Sequence, residues 1–125
     1  MLLDTHTLLW FLADDPKLPS RVKSSIENAD RVRVSMATVW EIAIKISIKK
    51  LKLGFEFMEL ADFLAQTGIE TLDISFADLE YYRTLPLHHR DPFDRILIAQ
   101  AMNNSLPIVS ADTAFDAYPI QRMWA

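Results

Sequence analysis

Glu41 is the acidic residue whose position most needs a chemical explanation. It lies in the apolar run MATVWEIAI at residues 36–44, where a carboxylate has few ways to reach water. A pair with Lys45, four residues later, contributes only about 0.2–0.5 kcal/mol on an exposed helix, which is too little to justify burial. An isolated buried charge would be protonated or paired, whereas a bound divalent cation explains an ionised carboxylate there. Glu41 is therefore predicted to be a metal ligand.

Three aspartates fall where a parallel sheet would bring them toward Glu41. Asp4 and Asp112 each follow an apolar, strand-like run, so both are predicted at the carboxyl ends of strands, where ligands collect in α/β sheets. Asp94 is predicted one turn into a helix that runs away from the same edge. Taken singly, Asp4 and Asp112 fit helix N-caps better than catalytic positions. Taken together, the four acids predict a site of converging carboxylates.

The segment around Asp94 also has a helix-capping interpretation. Asp91, Pro92, Phe93 and Asp94 place an acid at the N-cap, proline at the first helical position and an acid at the third, close to a capping box. The cap accounts well for Asp91. Asp94 is less needed for capping, and it shares a helix face with Ile98, which is predicted to point toward the sheet.

The inventory of residue types restricts the metal. The chain has no cysteine, which removes disulfides, thiolate nucleophiles and zinc–thiolate sites, and it has only three histidines. Oxygen ligands with few histidines suit Mg²⁺ or Mn²⁺. The adjacent His88 and His89 are predicted to face solvent on a loop. Neither they nor His6 are predicted to bind a metal.

The charge balance restricts how a nucleic acid could bind. The formal net charge is −4, from 17 acids against 13 bases, which is the wrong sign for a protein that holds nucleic acid by its overall field. A nucleic-acid substrate then requires local features, and basic residues do cluster at 45–52 and 88–95. Lys45, Arg90 and Arg95 are candidates for phosphate contacts, although the lysine group is equally well explained as a solvated surface.

The elements that must position these residues alternate along the chain. Periodicity and turn residues predict strands at 1–4, 31–35, 69–74, 107–112 and 120–124, and helices at 6–13, 20–29, 36–50, 56–66, 75–85 and 91–105. This alternation predicts an α/β fold, a central parallel sheet flanked by α-helices in three layers. No linker or repeat divides residues 1–125, so one domain is expected. No apolar run reaches about 18 residues and no basic leader precedes Asp4, which predicts a soluble, cytoplasmic protein without a membrane span.

Four segments of the sequence resemble the PIN-domain ribonucleases, in particular the toxins of bacterial VapBC-type toxin–antitoxin pairs. The segments are MLLDTHTLLW, SxxTVWEIAIK, HHRDPFDRILIAQA and IVSADTAF, and the likeness extends over essentially the whole length. Each segment alone is weak, but the four together are specific. The resemblance implies a single PIN-like domain over residues 1–125. It places the family's four acidic positions at Asp4, Glu41, Asp94 and Asp112.

The resemblance also implies an activity and partners. It implies a Mg²⁺- or Mn²⁺-dependent endoribonuclease that hydrolyses RNA phosphodiesters as the toxin of such a pair. The partner would be a small antitoxin that inserts an arginine into the acidic pocket. Ser110 falls where the family has serine or threonine two residues before its last acid, and Thr5 and Asp91 would lie behind the metal ligands.

A carboxylate cluster of this kind can hold one or two Mg²⁺ ions against a phosphodiester, and it needs no covalent nucleophile. We assign Asp4 and Asp94 as direct ligands and Glu41 as a ligand or as the residue that orients water. Asp112 is assigned to a second or weaker metal.

The helix that carries Glu41 also predicts an interface. From Met36 to Ile48 it is apolar on nearly every side, more so than a helix with one solvated face. Members of the family that the chain resembles pair through helices. We therefore expect a homodimer.

Other functions fit the sequence less well. A phosphotransfer enzyme of the haloacid-dehalogenase type needs Asp-x-Asp, and here Asp4 is followed by Thr5 and His6. A receiver domain needs paired acids before its first functional aspartate and a late lysine. Gly54 and Gly68 are the chain's only glycines, too few for a glycine-rich phosphate loop. The non-enzymatic alternative is a protein-interaction module of PIN-like fold with residues 36–50 as its contact surface.

Overall fold

The computed structural model describes residues 1–124, which form five parallel strands and six α-helices. In chain order these are β1 (Leu2–Leu3), α1 (Thr5–Leu12), α2 (Ser20–Asn28), β2 (Val32–Ser35), α3 (Met36–Ser47), α4 (Glu59–Thr67), β3 (Ile69–Leu72), α5 (Phe76–Thr84), α6 (Pro92–Asn104), β4 (Ile108–Val109) and β5 (Arg122–Met123). A short 3₁₀ helix, Thr113–Ala117, joins the last two strands. The predicted α/β architecture is confirmed.

The strand order, β3-β2-β1-β4-β5, locates the site. β1 is central, and the chain leaves it first toward β2 and β3 and later returns on its other side to β4 and β5. The carboxyl ends of β1 and β4 therefore flank the point at which the strand order reverses, where open parallel sheets form a crevice. In the register of these strands Leu3 lies beside Val109, so Asp4 continues beside Ser110.

Two apolar clusters hold the helices against the sheet. One lies around Leu8 and Ile42, and the other around Leu97, Ile98 and Phe115; the side chains of all five are almost completely buried. Burial of such side chains stabilises a fold by about 1.5–3 kcal/mol each. Ile98 is fully buried in the cluster that contains Leu2 of β1 and Ile108 of β4, which agrees with its predicted direction toward the sheet. Among residues 1–124, no helix has the length and apolarity that a bilayer span requires.

Predicted helix and strand boundaries differ from the observed ones by up to three residues; the helix expected to reach residue 50, for example, ends at Ser47. The fourth helix was expected from residue 56 but begins at Glu59. The residues before it form i→i+3 turns, with the N–H of Glu59 bonded to the Glu56 carbonyl, while the Phe55 ring packs edge-on against Phe63 at 4.8 Å and Phe57 packs against the core. The helix ends at Gly68, as predicted, with a positive φ of 74° that favours glycine.

Candidate active site

Asp4 is both a helix cap and a buried acid of the site. It follows β1, and its Oδ1 accepts a hydrogen bond from the backbone N–H of Thr7 at 2.9 Å, which caps α1. Its Oδ2 accepts a hydrogen bond from the Ser110 hydroxyl at 2.5 Å across the strand boundary. The capping and site interpretations are therefore compatible, because each carboxylate oxygen has its own partner.

Ser110 links the first and last acids of the set. Besides donating to Asp4, its Oγ accepts the backbone N–H of Asp112 at 2.9 Å. Asp112 in turn caps the 3₁₀ helix through the N–H of Ala114, and its side chain is about half exposed, at 49%. Asp112 thus forms the open side of the site, whereas Asp4 forms its floor.

Glu41 reaches the site from the second turn of α3. Ser35 caps that helix, and the Glu41 side chain is only 12% exposed. Its Oε1 accepts the Thr5 hydroxyl at 2.6 Å, and its Oε2 lies 3.0 Å from Nζ of Lys45. Glu41 therefore does form the ion pair with Lys45 through Oε2. Its other oxygen, Oε1, points to Thr5 at the start of α1 and has no positively charged partner among the contacts described.

Asp94 is the acid with the clearest electrostatic signature. Asp91 caps α6, accepting the N–H groups of Phe93 and Asp94 on Oδ1 at 2.8 and 3.3 Å, as predicted. Burial first, and then the charges of Asp91, Asp4 and Glu41, raise the pKa of Asp94 from 3.8 to about 7; His89 opposes the shift. Burial and like charges both disfavour ionisation, so the raised pKa of Asp94 reflects its burial first and then its nearness to Asp91, Asp4 and Glu41.

His89 is the residue of the site that the sequence analysis missed. It was expected to face solvent, but its side chain is only 17% exposed and Nε2 lies 3.0 Å from Oδ2 of Asp94 and 3.9 Å from Oδ2 of Asp112. Its Nδ1 accepts the backbone N–H of Asp91 at 3.2 Å. A histidine two residues before a helix N-cap is the sequence feature that could have indicated this contact. His88 is exposed, as expected.

Arg95 has a different role from the predicted phosphate contact. Its residue is 8% exposed, and its guanidinium donates to the backbone carbonyls of Pro86, His89 and Leu85 and lies 5.0 Å over the Tyr82 ring. Those donors fold the 85–90 loop onto α6 and are not free for a phosphate. Arg95 was expected to contact phosphate because the sequence pattern does not reveal that its side chain packs against this loop and Tyr82. Arg90 is exposed, and Lys45 is partly exposed beside Glu41.

The contacts bring the four acids into one site. Ser110 joins Asp4 to the Asp112 backbone, and His89 lies between Asp94 and Asp112, while Asp4 and Glu41 both act on the pKa of Asp94. The acids all offer carboxylate oxygens, the ligand type that Mg²⁺ and Mn²⁺ prefer, and a cation would relieve the crowding. The residues therefore fit a hard divalent cation.

His89 lies within the same cluster of potential ligand atoms. One ligand atom each from His89, Asp94 and Asp112 lies within 4.8 Å of the other two. Because Nδ1 accepts a hydrogen bond, a neutral ring carries its proton on Nε2, which then has no lone pair for a metal. The orientation therefore favours the carboxylates as ligands and His89 as a donor to them.

Comparison with known proteins gives relatives over nearly the whole chain. Ribonuclease VapC22 of Mycobacterium tuberculosis is 25% identical over 116 residues, which cover 90% of this chain and 86% of that protein. The structure of VapBC2 from Rickettsia felis, bound to a DNA fragment from its promoter, superposes with a TM-score of 0.76 at 18% identity over 99% of this chain and 98% of that chain.

VapBC-1 from nontypeable Haemophilus influenzae gives a TM-score of 0.68 at 15% identity, covering 98% of this chain and 95% of that chain. At these identities the solved structures establish the likeness of the fold. The family model described as PIN domain matches residues 1–121, from before the first predicted acid to beyond the last. The chain belongs to the PIN-domain family.

Proposed function

We propose that the chain is a Mg²⁺- or Mn²⁺-dependent endoribonuclease that hydrolyses RNA phosphodiesters at a site formed by Asp4, Glu41, Asp94 and Asp112. The observation that carries the proposal is the convergence of the four acids through the contacts of Ser110 and His89, and burial together with the neighbouring acids raises the pKa of Asp94 there. Such crowding costs stability unless a cation neutralises it, so it is the electrostatic pattern of a metal site. The ribonuclease to which the chain is similar supports RNA as the substrate class.

Each residue has a proposed role. Asp4 and Asp94 hold the cation, Glu41 binds it or orients water, and Asp112 contributes to a second or weaker metal. Thr5 and Ser110 hold the carboxylates of Glu41 and Asp4 through the hydroxyl contacts described above. When bound, the metal supplies Lewis-acid stabilisation of the phosphodiester charge.

Phosphate contacts outside the carboxylates come from fewer residues than the sequence suggested. Lys45 lies beside Glu41, and Arg90 is exposed in the loop before α6, so both are placed to meet a phosphate. Thr5 holds the Glu41 carboxylate through its hydroxyl, and Asp91 holds the backbone of Asp94 by accepting its N–H. The 85–90 loop, which carries Arg90, depends on Arg95 for its shape.

A cleavage assay tests the proposed activity. The purified protein is incubated with single-stranded RNA and with DNA of the same sequence, in Mg²⁺, Mn²⁺ or EDTA. Cleavage of RNA with either metal, its loss in EDTA and resistance of the DNA support a metal-dependent ribonuclease. The alternative, a non-catalytic interaction module of PIN-like fold, would give no cleavage in any metal and no rise in melting temperature with Mg²⁺.

We further propose that the protein is the toxin of a VapBC-type pair and acts in the cytoplasm, with a small antitoxin as its partner. An antitoxin arginine inserted among Asp4, Asp94 and Asp112 would supply the positive charge that the crowded carboxylates attract, and it would exclude both metal and RNA. The solved VapBC complexes of similar fold support a partner of this kind.

A second proposed partner is another copy of the chain. Helices α3, α5 and α6 border an apolar groove of about 400 Å³ with no charged lining residue, and it includes Trp40, Ile44, Leu79, Tyr82 and Phe93. Trp40 is 62% exposed and its ring packs edge-on against Phe93 at 5.3 Å. The arginine of an antitoxin would be drawn to the acids, whereas this uncharged groove suits a self-complementary apolar contact.

Trp40→Glu is expected to convert the homodimer to a monomer, because a charge buried in an apolar interface is left uncompensated. Light scattering at micromolar concentration measures the change in mass. Leu87→Glu is the matched control, since Leu87 is 69% exposed but lies outside the groove, and it should leave the mass unchanged. A wild type that is already monomeric at this concentration would contradict the dimer.

A further inference from the structure

The two ring nitrogens of His89 have different environments. Nδ1 accepts the backbone N–H of Asp91 at 3.2 Å, and Nε2 lies 3.0 Å from Oδ2 of Asp94 and 3.9 Å from Oδ2 of Asp112. A neutral imidazole carries one proton, so acceptance at Nδ1 leaves that proton on Nε2. The ring therefore presents an N–H, rather than a lone pair, to two acidic side chains.

We propose that His89 is a positioning residue that donates from Nε2 to Oδ2 of Asp94 and thereby leaves the other oxygen of Asp94 for a divalent cation. This role rests on the proposed metal-dependent function and adds a residue to it. Hydrogen bonds that orient a metal ligand in this way commonly change metal affinity by about 10–100-fold. His89 touches neither RNA nor metal and acts through Asp94.

Burial of the donor supports this role over contact with substrate. Nε2 is buried and, within residues 1–124, no acceptor is aligned well enough to complete a hydrogen bond with it. Asp94 is already within reach at 3.0 Å, and the terminal torsion of an aspartate is broad, so a small rotation of the carboxylate aligns the pair. A donor enclosed by two carboxylates can orient them but is poorly placed to meet an RNA phosphate.

The loop is held firmly enough for His89 to determine the orientation of Asp94. The Tyr118 hydroxyl accepts the backbone N–H groups of His88 and His89 at 3.1 and 2.9 Å and donates to the Pro86 carbonyl at 2.7 Å. Arg95 donates to the Pro86 and His89 carbonyls at 3.0 and 3.2 Å. These contacts fix the backbone at His89 without using the Asp94 side chain, and the N–H of Asp91 holds the ring at Nδ1.

A pair of variants separates the donor at Nε2 from the acceptor at Nδ1. The amide nitrogen of glutamine can occupy the place of Nε2, so His89→Gln keeps the donor. The amide oxygen of asparagine can occupy the place of Nδ1, so His89→Asn keeps the contact with Asp91 and loses the donor. Calorimetric titration of folded protein with Mn²⁺ is expected to give a Kd at least about tenfold weaker for His89→Asn and within about threefold of wild type for His89→Gln. His88→Asn, at an exposed neighbour, should match wild type.

The nitrogen NMR signals of the His89 ring provide a readout independent of catalysis. When the ring is neutral, we expect its proton on Nε2 and none on Nδ1 in the metal-free protein, and this tautomer should persist when Mg²⁺ saturates the site. Loss of the Nε2 proton on metal binding would identify His89 as a ligand and overturn the proposal. A neutral ring that carries its proton on Nδ1 and none on Nε2 in the metal-free protein would overturn it as well.

The Mn²⁺ titrations and the cleavage assay together distinguish failure of the His89 role from failure of the proposed ribonuclease activity or metal site. Equal Mn²⁺ affinity in wild type and His89→Asn would refute the positioning role, as would equal weakening in both His89 variants. If wild type binds Mn²⁺ but does not cut RNA, the proposed ribonuclease activity fails while the positioning role stands. If wild type binds neither Mn²⁺ nor Mg²⁺, the metal site and the role of His89 fail together.

Discussion

Asp94→Asn should abolish metal-dependent RNA cleavage while making the metal-free protein more stable at neutral pH. Asparagine keeps the shape of the side chain and removes its charge, so the proposed metal ligand is lost from the site. If the metal contributes about 4 kcal/mol of transition-state stabilisation, cleavage falls by about 10³-fold. The measurements are an RNA cleavage assay with Mg²⁺ and melting curves of the same preparations in EDTA.

The gain in stability follows from the pKa of Asp94. Its value of about 7 in the folded protein lies above the ordinary 3.8 of an unfolded chain. Stability from the protonated group is therefore fully present below pH 3.8 and is lost as the pH rises through about 7. At neutral pH the wild type has lost most of this stability contribution, whereas the neutral asparagine of the variant does not titrate and loses none. Since each pKa unit corresponds to about 1.4 kcal/mol, and the buried amide of the asparagine is itself costly to desolvate, we expect a net gain of about 1–2 kcal/mol.

Comparison of the two proteins as a function of pH separates Asp94 from the other carboxylates, because both proteins share them. Burial raises the pKa of Asp78, but hydrogen bonds from Ser75, Asn103 and Gln100 hold it below its ordinary value, and a hydrogen bond from Arg122 lowers the pKa of Asp116. Neither of these two aspartates should titrate between pH 5.5 and 7.5 in the folded or the unfolded state. Acidification over this range should therefore raise the melting temperature of metal-free wild type more than that of Asp94→Asn.

Added Mg²⁺ should reverse the order of the two proteins. A ligand at about 100 times its Kd stabilises the native state by about 2.7 kcal/mol, and the variant has a poorer site. For a chain of this size, 1 kcal/mol corresponds to about 3–5 °C in melting temperature, so both differences are measurable at one protein concentration. A variant that melts below wild type in EDTA and still cuts RNA would identify Asp94 as no more than a capping residue.

Local sequence patterns were sufficient for most of the fold. Ser35, Ser75 and Asp91 cap helices α3, α5 and α6, and Gly68 ends α4, as expected from their side chains and conformational preferences. Such signals operate within a few residues, so each can be recognised without tertiary structure. The start of α4 was misplaced because residues 56–58 form i→i+3 turns before the helix, and propensity does not separate such turns from the first turn of a helix.

In the candidate site, too, the residues predicted correctly are those with local signals, and the residues missed depend on long-range contacts. Asp4, Glu41 and Asp112 were placed from strand ends and an apolar helix, which are local features. The roles of Arg95 and His89 depend on the 85–90 loop folding back onto Tyr118, a contact that spans about 30 residues. The spacing of residues along the chain gives no indication of such a contact. As a result, an exposed position was expected for His89, and a phosphate contact for a buried arginine.

Expression of the chain without a partner should arrest bacterial growth. At a typical turnover of about 10 s⁻¹, one molecule cuts on the order of 10³ bonds within about two minutes, so few active copies suffice. The measurement is colony formation after induction, with wild type and Asp94→Asn matched for soluble, folded protein. Because the variant is expected to be at least as stable as wild type, a lower abundance should not account for its harmlessness.

The same experiment distinguishes catalytic damage from damage by binding. A protein that arrests growth by sequestering a partner through its apolar groove should remain harmful as Asp94→Asn, since the substitution leaves Trp40 and the other groove residues untouched. A nuclease should lose its toxicity with the carboxylate, and new RNA ends should be found only in cells that express wild type. Normal growth of cells containing folded wild type would contradict the toxin role. Such growth would not contradict the metal site, which the melting curves test separately. The effect of Asp4 and Glu41 on the pKa of Asp94 does not depend on which RNA the cell contains.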